Sequence, residues 1–210
     1  MKWEALLGIV SELPVFNTSL LLSGEEQENL LRQQLVRWVG MGRLVQIKRG
    51  LYLPASPFRK KEPHPFLLAN AMADHSYVSL QSALAYHGLI PEHVPVTTSV
   101  TTGRPGEFRT ILGAFSFRHV GRPMFHGYAL ESFSDGQQAF VAHPEKALLD
   151  LIYLTPGGDQ PRYLMGLRLQ NLQSLDPKRL DSLAQKCGKP KLLRAAECLK
   201  RLIRNQEKTP

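Results

Sequence analysis

The sequence predicts a mixed α+β fold, with an N-terminal winged helix-turn-helix followed by a mixed α+β domain that has a helical C-terminal end. Three observations support this prediction. Apolar residues recur at helical spacing in the N-terminal part, and two short β-rich segments follow them. Strand-like and helical segments alternate in the middle of the chain. Two long amphipathic patterns close the sequence.

Length and composition limit the class of protein. The chain has 210 residues, of which 43% are hydrophobic, enough for one large domain or two small ones. Two cysteines, Cys187 and Cys198, exclude a disulfide scaffold, so we expect a cytoplasmic protein with reduced thiols. The early apolar run, residues 5–10, lies between Glu4 and Glu12 and is too short to span a bilayer, so we expect no membrane partner.

The formal net charge of +8 is unevenly distributed. Residues 1–62 carry a net charge of +3, residues 63–155 carry −2 and residues 156–210 carry +7. Eight basic residues and no acidic one lie between Arg32 and Lys61. Four prolines between residues 53 and 65 mark the predicted boundary, which separates a domain over 1–58 from a domain over 59–210.

The N-terminal pattern predicts three helices and a hairpin. The first helix begins near Trp3 and ends before Pro14, and Asn17 or Thr18 caps a short second helix that Gly24 ends. The third helix runs from about Glu25 to residues 41–42. Two β-rich segments then meet at residues 49–50, where we expect the hairpin turn.

The polar face of the third helix suggests contact with DNA. Asparagine and glutamine pair with adenine in the major groove and arginine pairs with guanine, whereas basic residues on a hairpin hold phosphates. The candidate DNA-binding residues are Asn29, Arg32, Gln33, Arg37, Arg43, Lys48 and Arg49. An ordinary solvated helix face would carry the same residue types. Glu25, Glu26 and Glu28 argue against close approach to phosphates, unless this end tilts away or Glu26 reads a cytosine amine.

Three blocks of the sequence resemble a known family. They are residues 35–44 with 47–52, residues 77–92 and residues 142–151, and they read LVRWVGMGRL, IKRGLY, YVSLQSALAYHGLIPE and AHPEKALLDL. In this order and spacing they resemble the AbiE-type antitoxins of bacterial type IV abortive-infection toxin–antitoxin systems. The blocks cover about residues 15–155, and residues 156–210 match poorly.

The resemblance implies a protein with two activities. The N-terminal winged helix would bind operator DNA, as inverted repeats, and repress its own operon. The larger domain would counteract a nucleotidyltransferase toxin without forming a stable complex with it. The resemblance assigns no individual residue to the antitoxin activity, and it implies neither catalysis nor a cofactor or metal.

The middle of the chain predicts a small α+β domain. Ser79 is the expected N-cap of a helix through His87, and strands are expected at residues 95–102, 114–120 and 140–142. Pro144 suits the first turn of a helix that ends near Leu154. All seven histidines lie here without the spacing of a metal site, so we expect structural histidines, no metal and no enzyme. A nuclease that uses Glu145 or these histidines is the less favoured alternative.

Two helices are expected at the C-terminal end, from Asp176 to Cys187 and from Lys189 to about Asn205. The second has an apolar stripe and a basic outer face, which could contact nucleic acid, bind a partner or simply face solvent. The residues of this possible second basic surface are Lys191, Arg194, Lys200, Arg201 and Arg204. A further alternative for the whole chain is a winged-helix transcriptional regulator that has no toxin partner.

Overall fold

A computed structural model describes residues 1–22, 28–133 and 135–206. It confirms the mixed α+β class and the helical C-terminal end. The expected end of the second helix at Gly24 and the expected start of the third near Glu25 lie outside the described residues. The described N-terminal elements are, in chain order, α1 (Trp3–Val10), β1 (Phe16–Asn17), α2 (Thr18–Leu22), α3 (Glu28–Gly40), β2 (Leu44–Lys48) and β3 (Leu51–Pro54).

The N-terminal strands form an antiparallel sheet in the order β1-β3-β2. The hairpin turns where the sequence predicts, with Gly50 at a φ of +83°, a conformation that glycine adopts without steric cost. The predicted cap residues, Asn17 and Thr18, stand at the start of α2, and their capping role stays a prediction. Asn17 lies in strand β1, and the Thr18 hydroxyl donates to the Gly50 carbonyl over 3.1 Å, which ties α2 to the hairpin turn.

The apolar residues of the chain form two clusters. The smaller one joins α1, α3 and the hairpin, and its Trp3 ring lies 5.4 Å from the ring of Trp38 and 5.1 Å from that of Phe58, measured between centroids. The larger cluster belongs to the C-terminal elements, but it also includes Leu51 of the hairpin. The hairpin therefore contributes to both cores, while a domain division at residue 58 stays a prediction.

The larger part contains a six-stranded sheet in the order β6-β7-β5-β4-β9-β8. The pairs β5–β7 and β4–β9 are parallel, and the other neighbours are antiparallel. The elements are α4 (Pro65–Met72), β4 (Ser76–Val78), α5 (Leu80–Tyr86), β5 (Val96–Thr101), β6 (Gly106–Thr110), β7 (Gly113–His119), β8 (Tyr128–Ser132), β9 (Gln138–Ala142), α6 (Pro144–Leu154), α7 (Pro161–Gly166), α8 (Pro177–Cys187) and α9 (Pro190–Gln206).

Helix α8 has the local end signals that the sequence predicts. The Asp176 side chain accepts from the Lys178 amide over 2.8 Å and caps α8, and Gly188 ends it in the left-handed conformation. The predicted apolar stripe of α9, including Leu192, Leu199 and Ile203, is buried. Within the parts of the chain that the structure describes, no helix is long and apolar enough to cross a membrane.

Candidate nucleic-acid interface

Helix α3 has one buried and one exposed face, as its sequence pattern predicts. Leu31, Leu35 and Trp38 are buried in the smaller core. We call the exposed set Asn29, Gln33 and Arg37 the reading face. Glu25 and Glu26, which argue against this face, lie outside the described residues. Glu28 forms an ion pair with Arg32 one turn later, so part of its negative charge is balanced within the helix.

A cleft of about 450 Å³ separates α3 from the hairpin, and we call it the hairpin cleft. It is lined by polar and basic side chains, and no acidic residue among the described ones lines it. Arg32 contributes one positive charge from α3, and Arg49 contributes another from the hairpin turn. The cleft therefore combines two guanidinium groups with hydroxyl and amide donors, which suits a phosphate backbone. Its lining residues are Thr18, Ser19, Arg32, Val36, Gln46, Arg49, Gly50 and Tyr52.

Two further side chains of the hairpin cleft, Gln46 and Tyr52, are joined by a hydrogen bond. The Gln46 amide nitrogen lies 3.1 Å from the Tyr52 hydroxyl and donates to it. Burial raises the pKa of Tyr52, so the phenol keeps its proton at neutral pH and can donate a hydrogen bond of its own. Sequence reasoning missed both residues, because their position beside Arg32 depends on the way the hairpin packs against α3.

Arg37 belongs to the reading face but lies on the side of α3 away from the hairpin cleft. It lines a second cleft of about 330 Å³ together with Lys2 and Arg43, and the Arg43 guanidinium sits 5.3 Å from the ring centroid of Trp3. Glu4 also lines this cleft. Three basic side chains thus gather near the C-terminal end of α3, and Lys2 is one that the sequence did not single out. The fold alone brings it there from the start of the chain.

Lys48 has a partner within the protein, and its predicted phosphate contact stays a prediction. Its ammonium group donates to the backbone carbonyl of Met72 at the end of α4, and the side chain is half-buried. The neighbouring Ile47 and Leu51 pack in the larger core. Lys48 therefore joins the hairpin to the larger part of the molecule through this hydrogen bond. Arg49, which is exposed, remains available on the hairpin.

Three of the five residues of the possible second basic surface on α9 contact other groups of the protein. Lys191 donates to the carbonyls of Tyr153 and Thr155 at the end of α6. Arg194 pairs with Asp159 over 2.7 Å, and this contact holds the pKa of that carboxyl below its ordinary value. Lys200 pairs with Asp181 over 2.8 Å and with Glu197 over 2.6 Å. Arg201 and Arg204 are the members of the predicted set that are exposed without a described ion pair, and a nucleic-acid role for this surface stays a prediction.

The larger core contains a buried network of four polar side chains, Tyr77, Ser79, Lys146 and Asp150. The Lys146 ammonium donates to Asp150 and, over 2.8 Å, to the Tyr77 hydroxyl. Tyr77 and Ser79 in turn donate to Asp150 over 2.9 Å and 2.8 Å. Ser79 does precede α5, as predicted, but its hydroxyl serves Asp150 and does not cap the helix. Every member is buried, so the network is part of the core of the larger part of the molecule.

The remaining catalytic candidates also make structural contacts. Glu145 is buried and accepts from the Asp176 amide over 2.8 Å, which joins α6 to the start of α8. His87 bonds to the Ala142 carbonyl over 2.8 Å, and the His64 ring accepts from the Phe66 amide at the start of α4. Within the described ranges, no three histidine, cysteine, aspartate or glutamate side chains are grouped as a metal site.

His126 gives a testable pH dependence. Burial, with the nearby Lys146 and Lys186 charges, lowers the pKa of His126 to about 4 from an ordinary value of 6.5. The unfolded chain therefore binds an extra proton as the pH falls from 6.5 to about 4, and stability is lost across that range. We expect the loss of unfolding free energy between pH 7 and pH 5 to be smaller in His126→Asn, measured by urea denaturation. Equal losses in the two proteins would contradict the assignment.

No protein-family model and no curated protein matches this chain.

Proposed function

We propose that this protein binds double-stranded DNA through α3 and the hairpin and acts as a transcriptional repressor. The observation that carries the proposal is the hairpin cleft, which places Arg32 and Arg49 beside an exposed helix face and has no acidic lining residue among those described. A helix of this kind fits the major groove, while basic groups at its sides hold the phosphates of both strands.

The proposed roles divide between base and backbone contacts. Asn29 and Gln33 are exposed on α3 and have amide groups that can pair with adenine, and Arg37 can pair with guanine. Arg32 and Arg49 in the hairpin cleft, with Lys2 and Arg43 near the other side of α3, would contact phosphates. Phosphate contacts fix the register of the helix, and the reading face then discriminates among sequences.

We further propose that the larger domain acts as an antitoxin in the cytoplasm against a nucleotidyltransferase toxin. The support is the resemblance of three sequence blocks to AbiE-type antitoxins. Two of these blocks, residues 77–92 and 142–151, supply all four members of the buried network, Tyr77, Ser79, Lys146 and Asp150. The blocks are therefore spatial neighbours that build one core, and the resemblance in them concerns the framework of the domain.

Nuclease activity is not part of the proposal. Glu145, which would carry it, is fully buried and accepts from the Asp176 amide, and the neighbouring Lys146 is equally buried. A buried lysine held by Asp150 and Tyr77 cannot stabilise charge on a phosphate in solvent without losing its partners.

Arg49→Ala tests the backbone contacts. We expect it to weaken binding to the protein's own promoter and to a scrambled duplex by the same factor, because a phosphate contact reads no sequence. The slope of log K against log salt should become shallower by about 0.9, the value for one lost phosphate contact. Fluorescence anisotropy over a salt series measures both quantities. The matched control is Arg109→Ala, an exposed arginine on β6, which should leave affinity and slope unchanged.

The antitoxin proposal is tested by separating the two activities. A gene for a nucleotidyltransferase should lie immediately downstream, and expression of that protein should arrest growth. The full-length chain with Arg37→Ala and Arg49→Ala should still rescue growth while it fails to repress the promoter. Absence of such a gene, or failure of the wild-type chain to rescue growth, would instead favour a transcriptional regulator without a toxin partner.

A further inference from the structure

A cleft of about 430 Å³ lies between the end of α4 and the strands β8 and β9. Three aromatic side chains line it, Phe125, Tyr128 and Phe140, and we call them the aromatic cage. Asp74 and His75, both exposed, lie in the lining just after α4. The volume is that of a site for a small organic molecule.

The relative tilt of the rings decides what kind of ligand fits. The Phe125 and Tyr128 rings are 5.2 Å apart and inclined by 58°, and the Tyr128 and Phe140 rings are 5.6 Å apart and inclined by 78°. A flat nucleobase stacks on the face of a single ring and gains little from rings inclined to it. Rings inclined to one another instead surround a compact, rounded group, and their negative faces attract a cation.

The charge of the lining agrees with a cationic ligand. The Asp74 carboxylate is the charged acidic group in the lining, and no lysine or arginine lines this cleft among the described residues. The neighbouring Lys146 ammonium lies behind Tyr77, 5.4 Å from its ring centroid, and is paired with Asp150. Although the chain has a net charge of +8, the lining of this cleft can therefore bind a cationic ligand.

The cage is held in position before any ligand arrives. The Asn70 side-chain oxygen accepts from the Phe140 amide over 2.6 Å, which fixes the backbone of that residue. Tyr128 stacks on Tyr77 at 4.6 Å, and Tyr77 is itself fixed by its 2.9 Å bond to Asp150. A ligand consequently pays little conformational entropy to order these rings.

We propose that the aromatic cage binds a methylated ammonium group. Such a group is cationic, rounded and weakly hydrated, so it gains from the ring faces without a large desolvation cost. The same chemistry occurs in free small molecules such as choline and in the side chain of trimethylated lysine. The proposal is independent of DNA binding, because it concerns other residues of the chain.

Isothermal titration calorimetry of the full-length protein tests the proposal with three probes, choline, a peptide containing trimethylated lysine, and 3,3-dimethylbutan-1-ol. The last has the shape of choline without its charge. We expect at least one cationic probe to bind about tenfold more tightly than the neutral isostere, as cation–π energies imply. Choline binding would identify a free metabolite as the source, and binding of the peptide alone would identify a modified protein.

Variants locate the binding. Phe140→Leu and Asp74→Asn should each lower the affinity for the cationic probe several-fold. Tyr128→Phe should leave that affinity unchanged, because it keeps the aromatic ring. Phe108→Leu, at an exposed phenylalanine on β6, is the matched control and should bind like wild type. Because Asp74 is exposed, Asp74→Asn tests the site even if Phe140→Leu disturbs folding. The proposal is overturned if no cationic probe binds in the millimolar range, if the neutral isostere binds equally well, or if Phe140→Leu and Asp74→Asn both bind like wild type.

Discussion

Replacing Asp150 with alanine is expected to lower the free energy of unfolding by about 3–5 kcal/mol. Asp150 is fully buried and is the counter-ion of the equally buried Lys146. It also accepts hydrogen bonds from Tyr77 and Ser79. Burial raises the pKa of Asp150, and the charge and hydrogen bond of Lys146 oppose that shift. Removing the carboxylate leaves an ammonium group buried without a counter-ion and two hydroxyl groups without their acceptor.

The double variant Lys146→Met with Asp150→Leu provides the matched comparison. It removes both charges together, so we expect it to be more stable than Asp150→Ala alone. Urea denaturation followed by far-UV circular dichroism measures the loss. Tryptophan fluorescence reports separately on the smaller core, because Trp3 and Trp38 both lie there. An Asp150→Ala protein that unfolds like wild type would show that the network does not stabilise the larger core.

Replacing Arg37 with alanine is expected to weaken binding to the protein's own promoter by about 1–3 kcal/mol and to relax the preference at one base pair. Arg37 is exposed on the same face of α3 as Asn29 and Gln33, so its guanidinium can enter the groove that they face. A bidentate contact with guanine is lost on the promoter but not on a duplex that lacks this base.

Lys2→Ala is the matched control for Arg37→Ala. Lys2 lines the same cleft as Arg37 but lies outside α3, so we expect it to contact phosphate only. Lys2→Ala should lower the affinity for the promoter and for the scrambled duplex equally. Arg37→Ala should lower the affinity for the promoter more than the affinity for the scrambled duplex. A competition assay with single-base variants of the promoter measures the difference. Equal losses in Arg37→Ala on both duplexes would show that Arg37 is itself a backbone contact.

Local signals predicted the helices well where they were present. Helix α6 begins at Pro144 and ends at Leu154, as expected, because proline in the first turn marks the start. Helix α8 runs from Pro177 to Cys187 between an aspartate cap and a left-handed glycine, both visible in the sequence. The reading face of α3 was likewise predictable, since helical periodicity alone separates its buried and exposed residues.

Tertiary contacts set the limit of that prediction. Helix α4 was missed because its Pro65 stands among prolines that indicated a boundary, although proline suits a first helical turn. The bond from Lys48 to the Met72 carbonyl could not be predicted, because no local signal reveals an acceptor 24 residues away. The roles of Lys191, Arg194 and Lys200 depend on acceptors in other elements for the same reason. The cleft of the aromatic cage brings Asp74 and His75, which follow α4, beside Phe125, Tyr128 and Phe140, which lie about 50 or more residues later in the sequence.

The central claim is that α3 and the hairpin bind DNA, and a single salt titration tests it most directly. Anisotropy of a labelled duplex from the protein's own promoter is followed between low and physiological salt, with a scrambled duplex as competitor. We expect specific binding whose affinity falls steeply with salt, since Arg32, Arg49 and their neighbours would release counter-ions from the phosphates. Affinity that does not change with salt, or equal affinity for the scrambled duplex, would contradict the account.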